Sequence, residues 1–125
     1  MFTGSGLNAT TFNIGTLSGW NTAKVTDMSY MFACLGANSL SSLNLDLSGW
    51  QTGNVTTMQQ MFDRTGLVAT SWSIGDLSNW NTSKVTTMFN MFYGAGNKAE
   101  TFNLGNLANW DVNKVTNMSY MFSNS

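Results

Sequence analysis

The chain says nearly the same thing every 30 residues, and this period constrains its fold more than any other feature. WNTAKVTDMSYMF begins at Trp20, WQTGNVTTMQQMF at Trp50, WNTSKVTTMFNMF at Trp80 and WDVNKVTNMSYMF at Trp110. Val25, Val55, Val85 and Val115 keep the same spacing, as do Leu17, Leu47, Leu77 and Leu107. All nine methionines lie on two such rows, one of them Met28, Met58, Met88 and Met118. A unit of this length cannot bury its own apolar face, so successive units must stack, like residue on like residue.

Each unit carries two patterns. Phe12-Asn13-Ile14, Leu43-Asn44-Leu45, Trp72-Ser73-Ile74 and Phe102-Asn103-Leu104 alternate apolar and polar. A period of two predicts a short strand, large side chains inward and Asn or Ser outward. Val25, Met28, Met31 and Phe32 fall at i, i+3, i+6 and i+7, which predicts one face of a helix. Thr22, Thr52 and Thr82 precede it as N-caps, with Thr26 as a rival. Gly6, Gly36, Gly66 and Gly96 then suit the left-handed position that ends a helix. The second unit departs from the others, with one extra residue between Phe32 and Leu43 and one fewer before Leu47. There LNLDL reads as a continuous strand, where Gly15, Gly75 and Gly105 bend the other units.

The expected fold is therefore α/β: a right-handed leucine-rich-repeat-like solenoid of four 30-residue strand–helix turns with short parallel strands. Strands want a spacing of about 4.8 Å and packed helices about 8–10 Å. Curvature, with helices on the convex side, reconciles the two. The turns fall at 1–30, 31–60, 61–90 and 91–120 with a remnant at 121–125, a single repeat domain read as an excerpt of a longer array.

The phrase W-[ND]-T-[SA]-K-V-T-x-M-x-x-M-F, followed by Gly and a short strand such as LNLDLSGW at 43–50, resembles the BspA-like leucine-rich-repeat surface protein family. The resemblance spans essentially the whole chain. Its departures are Val112 where the other turns have Thr, and Gln51 where they have Asn or Asp. It implies a surface-exposed or secreted protein linked to adhesion and protein–protein contact. Those family traits are scaffold traits and carry no ligand with them.

Composition narrows the function classes. Five basic and six acidic residues leave a net charge of −1, which offers no footprint for nucleic acid or anionic membrane. Charged residues make up only 9% of the chain, so neutral polar groups must keep it soluble, a pattern commoner outside cells. No apolar run approaches the roughly 18 residues of a membrane span.

Candidate sites are weighed against plainer roles. The M-x-x-M pairs such as Met28/Met31 could bind Cu(I), but with no His and one Cys they read as core filler beside aromatics. Trp20, Trp50, Trp80 and Trp110 could line a sugar platform, yet strict recurrence favours a buried strand–helix corner. The row from Thr26 resembles an ice-binding hydroxyl array, but neighbouring helices would hold its members about 10 Å apart. Asp46 and Asp76 align without enough carboxylates for a calcium ladder. Cys34 reads as a semi-buried thiol. No His, paired nucleophile or phosphate loop points to catalysis, so neither enzyme activity, cofactor nor metal is expected.

What remains is the outward strand row, Asn13, Asn44, Ser73 and Asn103, with the variable loops beside it. A fixed scaffold with varied loops is how repeat proteins make binding faces. The function expected is a non-enzymatic extracellular or cell-surface interaction or adhesion module, with a protein or a host or neighbouring cell as partner. The alternative is a structural protomer that stacks head to tail with copies of itself into a fibre.

Overall fold

The computed structural model describes residues 1–125. Its organising feature is a set of backbone hydrogen bonds that join each M-x-x-M-F segment to the same segment of the following turn. The amides of Met28, Tyr30, Phe32 and Cys34 donate to the carbonyls of Thr57, Gln59, Met61 and Asp63 at 2.7–3.1 Å. The same four steps recur from Met58 to Thr87 and from Met88 to Asn117. Parallel bridges Asp27–Thr57, Thr57–Thr87 and Thr87–Asn117 continue the contact. The amides in between fold back locally: Met31 donates to the carbonyl of Met28, Ala33 to that of Tyr30, Leu35 to that of Phe32.

This overturns the expected α/β solenoid of strand–helix turns. There is no α-helix. The regular elements are β1 (Ser42–Asn44), β2 (Ser71–Ser73) and a single 3-10 turn at Leu107–Asn109. The reason is spacing. Phe2, Phe32, Phe62, Phe92 and Phe122 stack in one column, with ring centroids 5.2–5.6 Å apart. Helices need about 8–10 Å between axes, so no helix fits in turns packed this closely. Curvature does not resolve the mismatch; the segment abandons the helix instead. Its three-residue recurrence comes from successive i to i−3 turns, which return Met28, Met31 and Phe32 to the interior much as a helix would.

Backbone handedness completes the account. Tyr30, Gln60, Asn90 and Tyr120 all have φ between 52° and 56°. A second row, Gly4, Cys34, Arg64 and Gly94, has φ between 53° and 67°. Left-handed residues spaced this way break the helical path at each turn. Gly6, Gly36, Gly66 and Gly96 are left-handed as well, though no helix precedes them. Each also lies under a core side chain: a Cβ on Gly66 would come 2.9 Å from Trp72 Cδ1 and 3.2 Å from Leu43 Cδ2.

The strands are shorter and fewer than expected. β1 pairs in parallel with β2, Leu43 opposite Trp72. Phe12–Ile14 and Phe102–Leu104 form no strand, and LNLDL is strand only at its start. The extra residue of the second turn explains part of this. A Cβ on Gly6 would meet the ring of Phe12, whereas one on Gly36 would meet Leu40. Leu40 thus takes the place against its glycine that Phe12 takes in the first turn, while Leu43 lies on Gly66 of the next turn as Trp72 lies on Gly96. The core formed by these turns is continuous, from Leu17 and Met28 through Phe62 and Ile74 to Trp110.

Two alanine substitutions separate handedness from crowding. Gly4→Ala meets open space at φ +67° and is expected to cost about 1–2 kcal/mol for the left-handed backbone alone. Gly66→Ala adds the collision with Trp72 and is expected to lose about 1–3 kcal/mol more. Urea denaturation of both variants measures the difference; equal losses would contradict this packing.

Candidate functional site: the strand row and its clefts

The outward row lies where alternation placed it. Asn13, Asn44 and Asn103 are exposed and Ser73 is half-buried, while Leu43, Trp72, Ile74 and Leu104 beside them are buried. The row's side chains are partly engaged with their own turns. Asn13 Oδ1 accepts the amide of Gly15 at 2.7 Å, and Asn103 Oδ1 that of Gly105 at 2.8 Å. These are Asx turns, which leave both side-chain NH2 groups free to donate outward. Asn44 donates to Ser42 Oγ at 2.9 Å and keeps its carbonyl oxygen free.

Two clefts run along this row. A cavity of about 340 Å³ separates Thr10–Gly15 from Leu40–Leu45, and it takes in Asn13 and Asn44. A smaller one of about 250 Å³ lies among Ser73, Gly75, Asp76, Asn103 and Gly105. Pattern reasoning on the sequence missed both, because it treated the four alternating segments as equivalent strands in one sheet. The unequal length of the second turn falls beside the larger cleft, but what it does there depends on where Leu40 comes to rest, and no sequence signal marks the smaller one.

Asp46 and Asp76 do align near the row, each turned onto its own loop. Asp46 Oδ1 accepts from the Ser48 hydroxyl at 2.6 Å and from its amide at 3.1 Å. Asp76 holds Ser78 in the same way. The serine hydroxyl first, and the amide second, pull both carboxylates below their usual pKa of 3.8. Asp27 is lowered by Ser29 likewise.

The indole row has a uniform role. Trp50, Trp80 and Trp110 donate Nε1–H to the carbonyls of Leu17, Leu47 and Leu77 in the preceding turn, at 2.9–3.1 Å. All three are buried, but Trp20 is 41% exposed. No helix exists, so the expected strand–helix corner is corrected to a seam between consecutive turns. Met28, Met58 and Met88 are fully buried and Met118 is exposed on the last turn. The threonines expected to cap helices are buried cross-links: the hydroxyls of Thr22, Thr52 and Thr82 donate to the carbonyls of Gln51, Asn81 and Asp111 in the following turn. The row from Thr26 is corrected too. Its members sit on directly bonded backbones, Thr56 to Thr26 at 2.8 Å, and three of its four hydroxyls donate to the preceding carbonyl, which leaves no free hydroxyl array.

One family model matches, described as Mycoplasma protein of unknown function, DUF285, over residues 1–95 and again over 68–125. The chain belongs to this repeat family. No curated protein and no solved structure matches it. No helix is long and apolar enough to cross a membrane.

The seam predicts an order of losses. Trp50→Ala removes a buried indole and its hydrogen bond, at an expected cost of about 3–5 kcal/mol. Trp20→Ala, exposed on the first turn, is expected to lose clearly less. Equal losses in denaturant melts would contradict the seam.

The aspartates predict a pH response. Their folded pKa values lie below the unfolded value, so their stabilisation is complete above 3.8 and is lost as pH falls through the lower folded value. The melting temperature is expected to fall on acidification below that point, and less so in a Ser48→Ala/Ser78→Ala double variant. An identical acid limb in the variant would refute the assignment.

Proposed function

We propose that the chain is a non-enzymatic interaction or adhesion module that works at the cell surface or outside the cell. A protein, or a host or neighbouring-cell surface, would be the partner. The observation that carries this reading is the row of exposed Asn13, Asn44 and Asn103 with half-buried Ser73, in which Asn13 and Asn103 keep free NH2 groups and Asn44 a free carbonyl oxygen, with a cleft on either side of the β1–β2 pair. Such a face is neutral and rich in donors and acceptors, as adaptable protein contacts are. The carboxylates nearest to it are held by their own serines, which supports binding over acid–base chemistry. The resemblance of the W-x-T-x-x-V-T-x-M-x-x-M-F phrase to BspA-like surface proteins supports the same reading, including the extracellular location.

A second reading, a protomer that stacks head to tail into a fibre, has its own observation. Met1, Trp20 and Tyr30 are exposed on the first turn, and Met118, Tyr120 and Phe122 on the last. Met1, Trp20, Met118 and Phe122 belong to rows whose inner members are buried and stacked turn on turn, so one end offers what the other end accepts.

Asn44→Lys and Asn103→Lys are expected to weaken attachment to cell surfaces at least tenfold, roughly 1.4 kcal/mol, with the circular dichroism unchanged. Gln60→Lys, off the row, is expected to be silent. The reverse pattern would remove the row from the binding face. Light scattering across a concentration series decides the second reading: growth of open-ended assemblies supports the fibre, and a steady monomer excludes it.

A further inference from the structure

We propose that the larger cleft is a docking slot for an extended, uncharged polypeptide segment, which enters as an added strand between Thr10–Gly15 and Leu40–Leu45. The inference rests on the reading of the strand row as the partner face, and it assigns that face a class of ligand.

Thr10, Thr11, Phe12, Asn13 and Ile14 take part in no backbone hydrogen bond, as donor or acceptor. The corresponding segment of the third turn is well engaged. Thr70 and Ser71 donate to Ser41, while Ser73 and Ile74 accept from Leu45 and Leu47. β1 is therefore paired on one edge with β2, and no backbone bond joins Leu40–Leu45 to the first turn on its other edge. Unpaired edges of this kind are templates for another strand. Here two of them face one another across a cavity of about 340 Å³.

The cleft is continuous with the existing sheet, because its wall is the free edge of β1. An occupant with the same alternation as the chain's own strands would extend β1–β2 by one strand. Six residues on each wall correspond to about 20 Å of extended chain at roughly 3.3 Å per residue. None of the lining residues carries a charge. That chemistry favours a neutral peptide over a phosphate or an acidic tail. Phe12 and Ile14 are half-buried at the slot's edge and offer apolar contact to alternate side chains, while Asn13 and Asn44 meet the outward ones.

The unequal second turn creates the slot. Leu40 fills the position on Gly36 that Phe12 fills on Gly6, and this breaks the register between the first two turns. The third and fourth turns have no such shift; there Trp72 and Phe102 stack at 4.7 Å, and the cleft beside them is smaller and bordered by the carboxylate of Asp76.

The test uses the whole chain and a defined probe, the acetylated and amidated peptide TSWSIG, copied from residues 70–75 because β1 already accepts that segment on its other edge. Amide hydrogen exchange is followed by NMR with and without millimolar peptide. The expected result is about tenfold slower exchange at Thr10–Ile14. That protection disappears when the peptide's backbone nitrogens are methylated. Unchanged exchange, equal protection by the methylated peptide, or protection confined to the end turns would each overturn the proposal. Protection that grows with protein concentration in the absence of peptide would assign the slot to a second copy and overturn it too. Should the peptide leave the slot untouched while Asn44→Lys still weakens cell attachment, the slot falls and the binding face stands. If the peptide binds and Asn44→Lys is silent on cells, the face reading falls instead.

Discussion

The structure depends on hydrogen bonds between one turn's backbone and the next, made at every second residue of the M-x-x-M-F segment. They set the distance between turns at the spacing of paired strands, about 4.8 Å, and everything else follows that distance. Aromatic rings form columns because identical side chains are superposed at contact separation, as Phe32, Phe62 and Phe92 are at 5.4 and 5.2 Å. Helices are excluded because they are too wide. Left-handed residues recur at fixed places because the chain must turn its alternate amides outward, toward its neighbour, without coiling.

The same distance accounts for the surface. Any charged row would place like charges about 5 Å apart, a repulsion of about 0.8 kcal/mol per pair even in water. Lys24, Lys84 and Lys114 share one row, and Asn54 interrupts it between the first two; Asn54 Oδ1 accepts from Lys84 Nζ at 2.7 Å. The like charges that do fall on adjacent turns, Lys84 with Lys114 and Asp46 with Asp76, are all exposed to water. Neutral polar residues avoid the repulsion and cross-link the turns besides. Thr22, Thr52 and Thr82 bond the following turn, and Asn38 donates to Asn8 at 2.8 Å. A chain with few charges and much Asn, Ser and Thr is what this stacking favours, so its composition reflects architecture as well as habitat.

Part of this was legible in the residues. The period of 30 placed the stacked columns of Phe and Trp, and alternation placed Asn13, Asn44 and Asn103 outside with Leu43 and Trp72 inside. The left-handed glycines were found through the demand for φ > 0, although for the wrong neighbour. The helix was misread because Val25, Met28, Met31 and Phe32 satisfy a helical template, and overlapping i to i−3 turns produce the same recurrence. The conflict between strand and helix spacing was visible beforehand, and it argued against the helix more strongly than the pattern argued for it. The cleft was not legible at all: it arises from one residue of extra length in the second turn, whose effect depends on where Leu40 and Leu43 come to rest.

Through-hydrogen-bond couplings measured by NMR on uniformly labelled protein test the central claim most directly. The account predicts couplings from the amides of Met58, Gln60 and Phe62 to the carbonyls of Thr87, Phe89 and Met91, one turn away. Couplings that instead join residues of 55–65 to carbonyls four positions earlier in the same turn would restore the helix and contradict it.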